Sequence, residues 1–294
     1  MAPPLKFRPM RAADAKIERD ALPPMVFASD KHDGCRLIKF NGEGYSRAMT
    51  PIRNRELALF VRSLPYDNFE AEFIILDDHG KPLPFDVISG TFRSFHKPLN
   101  NFRLMAFDTI HFTNPTSHRI FNLRNALALY PSDHVTMVNH TTVHGKTALI
   151  DFYADSLKRG MEGIVIRDPF SIYKQGTSTL SGAELLRIKP FLDDEATIVG
   201  FEELKHNENL ATTNEVGLTE RSTHSENLRP GGVLGAFIVS WKGLTFRVGT
   251  GLTAEQRERF WRERNTLLTR TLTFKYNPTH MTDRPTSAVF KCIR

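Results

Sequence analysis

A lysine, an acid and a glycine stand together early in the chain, as Lys31-His32-Asp33-Gly34 after the apolar segment PPMVFA. An amine on a long stem is a nucleophile only once it has lost its proton, through a lowered pKa or a nearby base. The same residues also suit an exposed turn, because Asp-Gly favours one. At average residue usage, K-x-D-G arises by chance in roughly one chain of this length in twenty, so the lysine needs corroboration. Further candidates follow in order: Arg36, then Arg47 in SRAMT after a Gly-Glu-Gly turn, Glu72 in AEFIIL, Phe107 in MAFD, Glu162 in EGIVIRDP, and Arg187 with Lys189 in LRIKP. Glu72 and Glu162 begin otherwise apolar strands, where an unpaired charge is costly and a partner is expected, a salt bridge being the plainest. Taken singly, Arg47 and Arg187 read as exposed charges at strand ends, and Phe107 as one more core aromatic among 22 phenylalanines.

In this order and at these spacings the motifs resemble the covalent nucleotidyltransferase superfamily of ATP-dependent DNA ligases, RNA ligases and mRNA capping enzymes. The resemblance spans residues 25–191, and DPFSIYKQG (168–176) is most similar to small bacteriophage-type DNA ligases. It implies an enzyme that attacks ATP with Lys31, holds AMP as a lysine phosphoramidate, passes it to a 5′ end and seals nicks in duplex DNA. Lys31, Asp33 and Lys189 would be catalytic. Arg36 and Arg47 match positions that touch the nucleotide or the DNA 5′-phosphate. Glu72 matches a ribose or metal contact, Glu162 a ligand of Mg²⁺ or another divalent cation, and Phe107 an adenine-stacking ring. Arg187 and Lys189 match the two basic positions of the last motif, the first of which is more often Lys. In the DNA ligases an R-x-D-K-like motif ends the second domain and orients the leaving pyrophosphate. Arg294 in FKCIR stands where that motif would begin, so it is expected to assist adenylation, and loading with AMP is expected either to do without the remaining motif or to be slow. Each step moves a phosphoryl group with dispersed negative charge, which explains the demand for cations around it.

The elements that must position these residues follow from periodicity. FEAEFIILD (69–77), RLMAFDTIHF (103–112) and EGIVIRDP (162–169) are β-rich and bounded by turn formers. NRELALFVRSL (54–64) and KTALIDFYADSLKRG (146–160) place apolar residues at helical spacing, the second ending at Gly160. An α+β nucleotidyltransferase domain over 1–191 is the expectation. After it, ATIVGFEEL (196–204), VLGAFIVSWKG (233–243), LTFRVGTGL (244–252), RTLTFKYNP (270–278) and SAVFKCIR (287–294) are strand candidates, interrupted by one helix opened by Thr253 and Gln256 at capping-box spacing. That content suits an all-β OB-fold domain over 192–294, with a hinge near residues 190–195. The polar stretch 205–232 is expected as a mobile insertion, a solvated loop or a DNA-contacting one through Lys205, Arg221 and Arg229.

Composition narrows the class. The 294 residues carry a formal charge of +6, which suits a polyanionic partner such as nicked duplex DNA without proving one. No apolar run approaches bilayer length, so no membrane role is expected. The first residues lack the apolar core of a secretory signal, which points to the cytoplasm. Cys35 and Cys292 are too few for a disulfide framework or a four-ligand zinc site. A monomer is expected. Competing readings are an RNA ligase or capping enzyme and, in another class, a non-catalytic nucleic-acid-binding protein. The retained Lys31 argues against the last.

Overall fold

The computed structural model describes residues 7–213, 219–222, 227–278, 283–285 and 288–294. The chain divides into two compact units, Met1–Lys189 and Pro190–Arg294.

The first unit is built on two five-stranded sheets. One runs in the order Ala13–Asp14, Leu186–Ile188, Ile164–Arg167, Met25–Asp30 and Thr141–His144. It is antiparallel except where Ala13–Asp14 pairs in parallel with Leu186–Ile188, Ala13 opposite Leu186. The other runs Glu43–Ser46, Cys35–Phe40, Phe69–Ile75, Phe102–Thr109 and Val135–Met137. Each sheet has its own apolar core. Leu37, Phe69, Phe73 and Leu104 pack with the helices Arg55–Ser63, Phe85–Arg93 and Thr116–Leu129 on the second sheet. Val26, Ala28, Ile164 and Ile166 pack with Leu149 of the helix Gly145–Lys158 on the first. The helix Arg55–Ser63 starts where Asn54 accepts the Leu57 amide, and buries Leu57 and Val61 at i, i+4 spacing. Lys31–Gly34 is the stretch by which the chain passes from the strand Met25–Asp30 of one sheet to the strand Cys35–Phe40 of the other.

The second unit is one antiparallel five-stranded sheet, ordered Leu244–Val248, Leu228–Trp241, Leu192–Asn207, Thr271–Tyr276 and Val289–Ile293. A parallel bridge from Thr250 to Val289 joins its two ends, giving the closed five-stranded arrangement of an OB fold. The helix Ala254–Arg262 opens with both halves of the capping box between Thr253 and Gln256 in place. Phe237, Phe274, Trp241 and Phe290 fill the core.

Two expectations need correction. The ladder already includes Leu192 opposite Tyr276 and Asp193 opposite Lys275, so within the stretch expected as a hinge residues 192–195 belong to a strand of the second unit. The polar stretch is also not loop throughout. The long strands pair at Lys205–Pro230, His206–Arg229 and Asn207–Leu228, and a small hairpin joins Ala211–Thr213 to Thr219–Arg221. Asparagine amides do here what apolar packing does elsewhere. Asn207 and Asn209 each donate from Nδ2 to the Ser222 carbonyl at 2.8 Å, and Asn227 donates to Asn209 at 3.1 Å. Residues 214–218 and 223–226 of that stretch lie outside the described residues. No helix among the described residues is long and apolar enough to cross a membrane.

Candidate active site

Lys31 lies on the crossing between the two sheets of the first unit, and its backbone is held there by strand-like bonds. Its amide donates to the Gly163 carbonyl at 2.9 Å, and its carbonyl accepts from the Glu162 amide at 3.2 Å. Two glycines make this approach possible. A Cβ on Gly34 would run into the Phe73 carbonyl oxygen and the side chains of Ile74 and Glu72. A Cβ on Gly163, whose φ is +144°, would run into the Ile188 carbonyl oxygen and Cα of Lys189. Glycine in K-x-D-G and in E-G-I therefore lets the lysine, the acid and the last basic motif share one small volume.

The centre of that volume is Glu162, only 3% exposed in its side chain. One carboxylate oxygen pairs with the Lys31 ammonium and the other with the Lys189 ammonium. Burial, and then the Lys31 charge, lower the pKa of Lys189 from the ordinary lysine range against the pull of Glu162. Glu72 lies within the field of Lys31, Arg36, Glu162 and Asp33, and burial raises its pKa to about 7. Arg187 lies two residues before Lys189 and feels Glu162, but its guanidinium forks onto Asp14 at 2.5 and 3.2 Å, a hydrogen-bonded pairing that raises its pKa. Burial raises the Cys35 thiol to about 12, which leaves it an inert core side chain.

Phe107 occupies the other sheet. Along that ladder Glu70 faces Asp108 and Ala71 faces Ala106, so Phe107 is the extra residue of a β-bulge. Its ring has two guanidinium carbons over it, those of Arg36 and Arg167, each 5.4 Å from the centroid. Arg36 is itself held by Glu70 at 2.7 Å and by the Met10 carbonyl at 2.6 Å. Burial opposes its charge, yet Glu70, Tyr173 and Glu72 outweigh that and hold its pKa above the ordinary arginine value.

The structure thus gathers Lys31, Glu162 and Lys189 in direct contact, with Glu72, Asp33 and Arg187 in their field and Arg36 on the Phe107 ring. Two candidates lie on other elements. Arg47 is exposed in the turn after the strand Glu43–Ser46, and Arg294 belongs to the second unit, where it pairs with Glu195 at 2.6 Å. Sequence reasoning passed over Glu70, Asp108, Arg119, Arg167 and Tyr173, which are buried and linked to one another beside Phe107 through Arg167 on its ring, Arg119 and Arg167 on Asp108, and the Tyr173 hydroxyl on Glu70. The signal was present: Glu70 is two residues before Glu72 on the same face of one strand, and Asp108 and Arg167 sit in the quoted motifs MAFD and EGIVIRDP.

Residues 9–189 match the family model of the ATP-dependent DNA ligase domain, and residues 228–294 that of the DNA ligase OB-like domain. The DNA ligase of vaccinia virus is 26% identical over 171 residues, which is 52% of this chain and 31% of that protein. The DNA ligase of Natronomonas pharaonis is 28% identical over 254 residues, 78% of this chain and 41% of the other. The chain thus spans less than half the length of these curated relatives. Among solved structures, the Chlorella virus DNA ligase-adenylate is 28% identical with a TM-score of 0.57, covering 99% of both chains. A Lig E DNA ligase shares the fold at 21% identity and a TM-score of 0.71, over 97% of this chain and 99% of its own. With residues 9–189 matched by the one family model and residues 228–294 by its companion domain, this chain belongs to the ATP-dependent DNA ligase family.

Proposed function

We propose that the chain, acting as a monomer, joins 3′-OH and 5′-phosphate ends at nicks in duplex DNA, using ATP and a Lys31–AMP intermediate. In this reading residues 1–191 form the adenylation domain and residues 192–294 the OB-fold domain. The observation that carries it is that one buried carboxylate, that of Glu162, is shared by two ammonium groups. The carboxylate is placed to take the proton that Lys31 must give up before it attacks, and the second lysine brings positive charge toward the phosphates.

In the first step the Lys31 amine attacks the α-phosphorus. An N–P bond forms, the bond from that phosphorus to the α,β-bridging oxygen breaks, and pyrophosphate leaves with the electron pair. The nick's 5′-phosphate oxygen then attacks the phosphorus of Lys31–AMP and takes the AMP group, freeing the amine. Finally the 3′-OH attacks the adenylated 5′-phosphate, and AMP departs. Lys189, Arg187 and Arg36 supply positive charge to these steps, Asp33 belongs to the catalytic motif beside Lys31, Glu72 binds ribose or metal, and Phe107 stacks on adenine. Arg47 meets the 5′-phosphate, and Arg294 assists adenylation.

A divalent cation such as Mg²⁺ fits the donor set. Among the described residues no three His, Cys, Asp or Glu side chains form a closed metal cage. Mg²⁺, however, is commonly held by one or two carboxylates together with substrate phosphates and water. Glu162 and Glu72 would provide those carboxylates, and the ion would neutralise charge on the phosphates and the leaving pyrophosphate.

The test is to incubate the full chain with α-labelled ATP or GTP and Mg²⁺, then chase with nicked DNA or RNA duplexes. Acid-labile label from ATP, lost in Lys31→Ala and passed to nicked DNA, is the expected outcome. Absence of label on the wild-type chain, or equal label on Lys31→Ala, would sink the mechanism. Label from GTP alone, or transfer to RNA alone, would favour a capping enzyme or an RNA ligase.

A further inference from the structure

Phe107 and Lys31 belong to different parts of the first unit, the one on the sheet that holds Glu70 and Asp108, the other at the end of a strand of the opposite sheet. A base stacked on Phe107 and an α-phosphorus offered to Lys31 therefore stay in register only if the two sheets are tied together at the base. Arg167 makes such a tie. It ends the strand Ile164–Arg167, which follows directly on Glu162 and Gly163, and its side chain is 2% exposed. From there its Nη1 donates to the Phe107 carbonyl at 3.1 Å and pairs with Asp108 Oδ2 at 3.0 Å, while its guanidinium carbon lies 5.4 Å from the Phe107 centroid.

We infer that Arg167 is a positioning residue, which fixes the bulged Phe107 against the Lys31 sheet and so sets where the nucleotide base stacks. The inference rests on Phe107 being the base platform. Three features make Arg167 more than a structural ion pair. Asp108 already has a partner in Arg119, whose Nε donates at 2.9 Å and Nη2 at 3.3 Å, with both side chains wholly buried. Arg167 adds to that pair a contact with the bulge carbonyl itself, the group whose direction sets the aim of residue 107. Glu70 and Asp108 also face each other across the ladder, and each holds one of the two guanidinium groups that reach the ring. Two acids directly opposite would repel; with Arg36 and Arg167 on them they become a cradle for one aromatic ring. The fork of an arginine meets a carbonyl and a carboxylate at once, whereas a lysine meets them as a point charge.

The test measures Lys31–AMP formation by the full chain at varied ATP, separating KM from the maximal rate, for Arg167→Gln, Arg167→Lys, Phe107→Leu and the double variant Phe107→Leu/Arg167→Gln. Arg167→Gln is expected to raise the KM for ATP about tenfold with a smaller change in maximal rate, and Arg167→Lys to recover part of the loss. Because Arg167 acts through Phe107, the double variant should be no worse than Phe107→Leu alone. Multiplying effects in the double variant, or a fall in maximal rate at unchanged KM, overturns the inference. If Arg167→Gln does not fold, Arg167→Lys decides, and a wild-type KM in it counts against the positioning role. A wild-type KM in Phe107→Leu removes the platform and the inference with it, while acid-labile Lys31–AMP in the same assay keeps the ligase reading apart from that failure.

Discussion

Replacing Gly163 by alanine should damage the site from the backbone outward. Two costs add. At φ +144° an L residue is strained, by about 1–3 kcal/mol for such a conformation. The new methyl would also overlap the Ile188 carbonyl oxygen and crowd Lys189 Cα, which are backbone atoms and cannot swing aside as a side chain does. The strands Ile164–Arg167 and Leu186–Ile188 must then part locally, at the pairing of Ile164 with Ile188. Overpacking of this kind adds about 1–3 kcal/mol more. Gly160→Ala is the matched control: its φ is +79°, and a Cβ there meets nothing within 4 Å, so only the conformational cost of about 1–2 kcal/mol applies. At roughly 2–4 °C per kcal/mol for a unit of this size, Gly160→Ala should melt a few degrees early and Gly163→Ala about ten degrees early. Differential scanning calorimetry gives the melting temperatures, and labelled AMP transfer gives the adenylation rate. Gly163→Ala should lose adenylation beyond what its stability explains, because Glu162 and Lys189 flank the forced gap. If the two variants melt together and adenylate alike, the close approach of these strands is not what holds the carboxylate on its lysines.

Three further outcomes follow from the same site. Glu162→Ala removes the partner of both ammonium groups and should abolish label on Lys31 while leaving the chain able to bind DNA, measured by acid-labile Lys31–AMP from α-labelled ATP and by gel shift; retained labelling would refute the shared-carboxylate reading. Burial raises Glu72 to about 7, above its unfolded value, so the folded chain holds this proton more tightly and the site loses stability as pH rises through that window. Melting of Glu72→Gln should accordingly exceed wild type most at pH 8, with the gap closing toward pH 5, and parallel curves would contradict the burial argument. Binding of nicked duplex should weaken with salt along a clearly negative log–log slope, since a sealing enzyme reads phosphates rather than base edges; a flat titration would remove the phosphate-clamp picture.

Local features were legible in the sequence. The capping box of Thr253 and Gln256, the helix ending at Gly160 and the strands around Glu72 and Ile164 depend on neighbours a few residues away, and they form where the pattern places them. The helices Phe85–Arg93 and Thr116–Leu129 were less visible. The first holds Gly90, and the second buries the charged Arg119 beside Ile120 and Leu123, which breaks the apolar stripe that marks a helix. The polar stretch after residue 204 was misread because its pairing is made by backbone ladders and asparagine amides, which leave no apolar alternation behind. Within the site, the order of motifs pointed to Lys31, Glu162 and Lys189, whereas the buried ring of Glu70, Asp108, Arg119 and Arg167 joins residues from distant segments. Charge inside a strand signals that a partner exists, but only the fold names it.

The parallel pairing of Ala13–Asp14 with Leu186–Ile188, sealed by the Asp14–Arg187 fork, bears on how the protein comes into being. Lys31 lies early in the unit, yet the carboxylate that pairs with it and the second lysine on that carboxylate come toward the unit's end. At a synthesis rate of about 5–20 residues per second, the lysine waits roughly 10–30 s for them. During that interval it is an ordinary exposed amine on an unfinished sheet. A chain interrupted before residue 162 would keep the lysine and lack both the carboxylate that pairs with it and the strand whose backbone holds it.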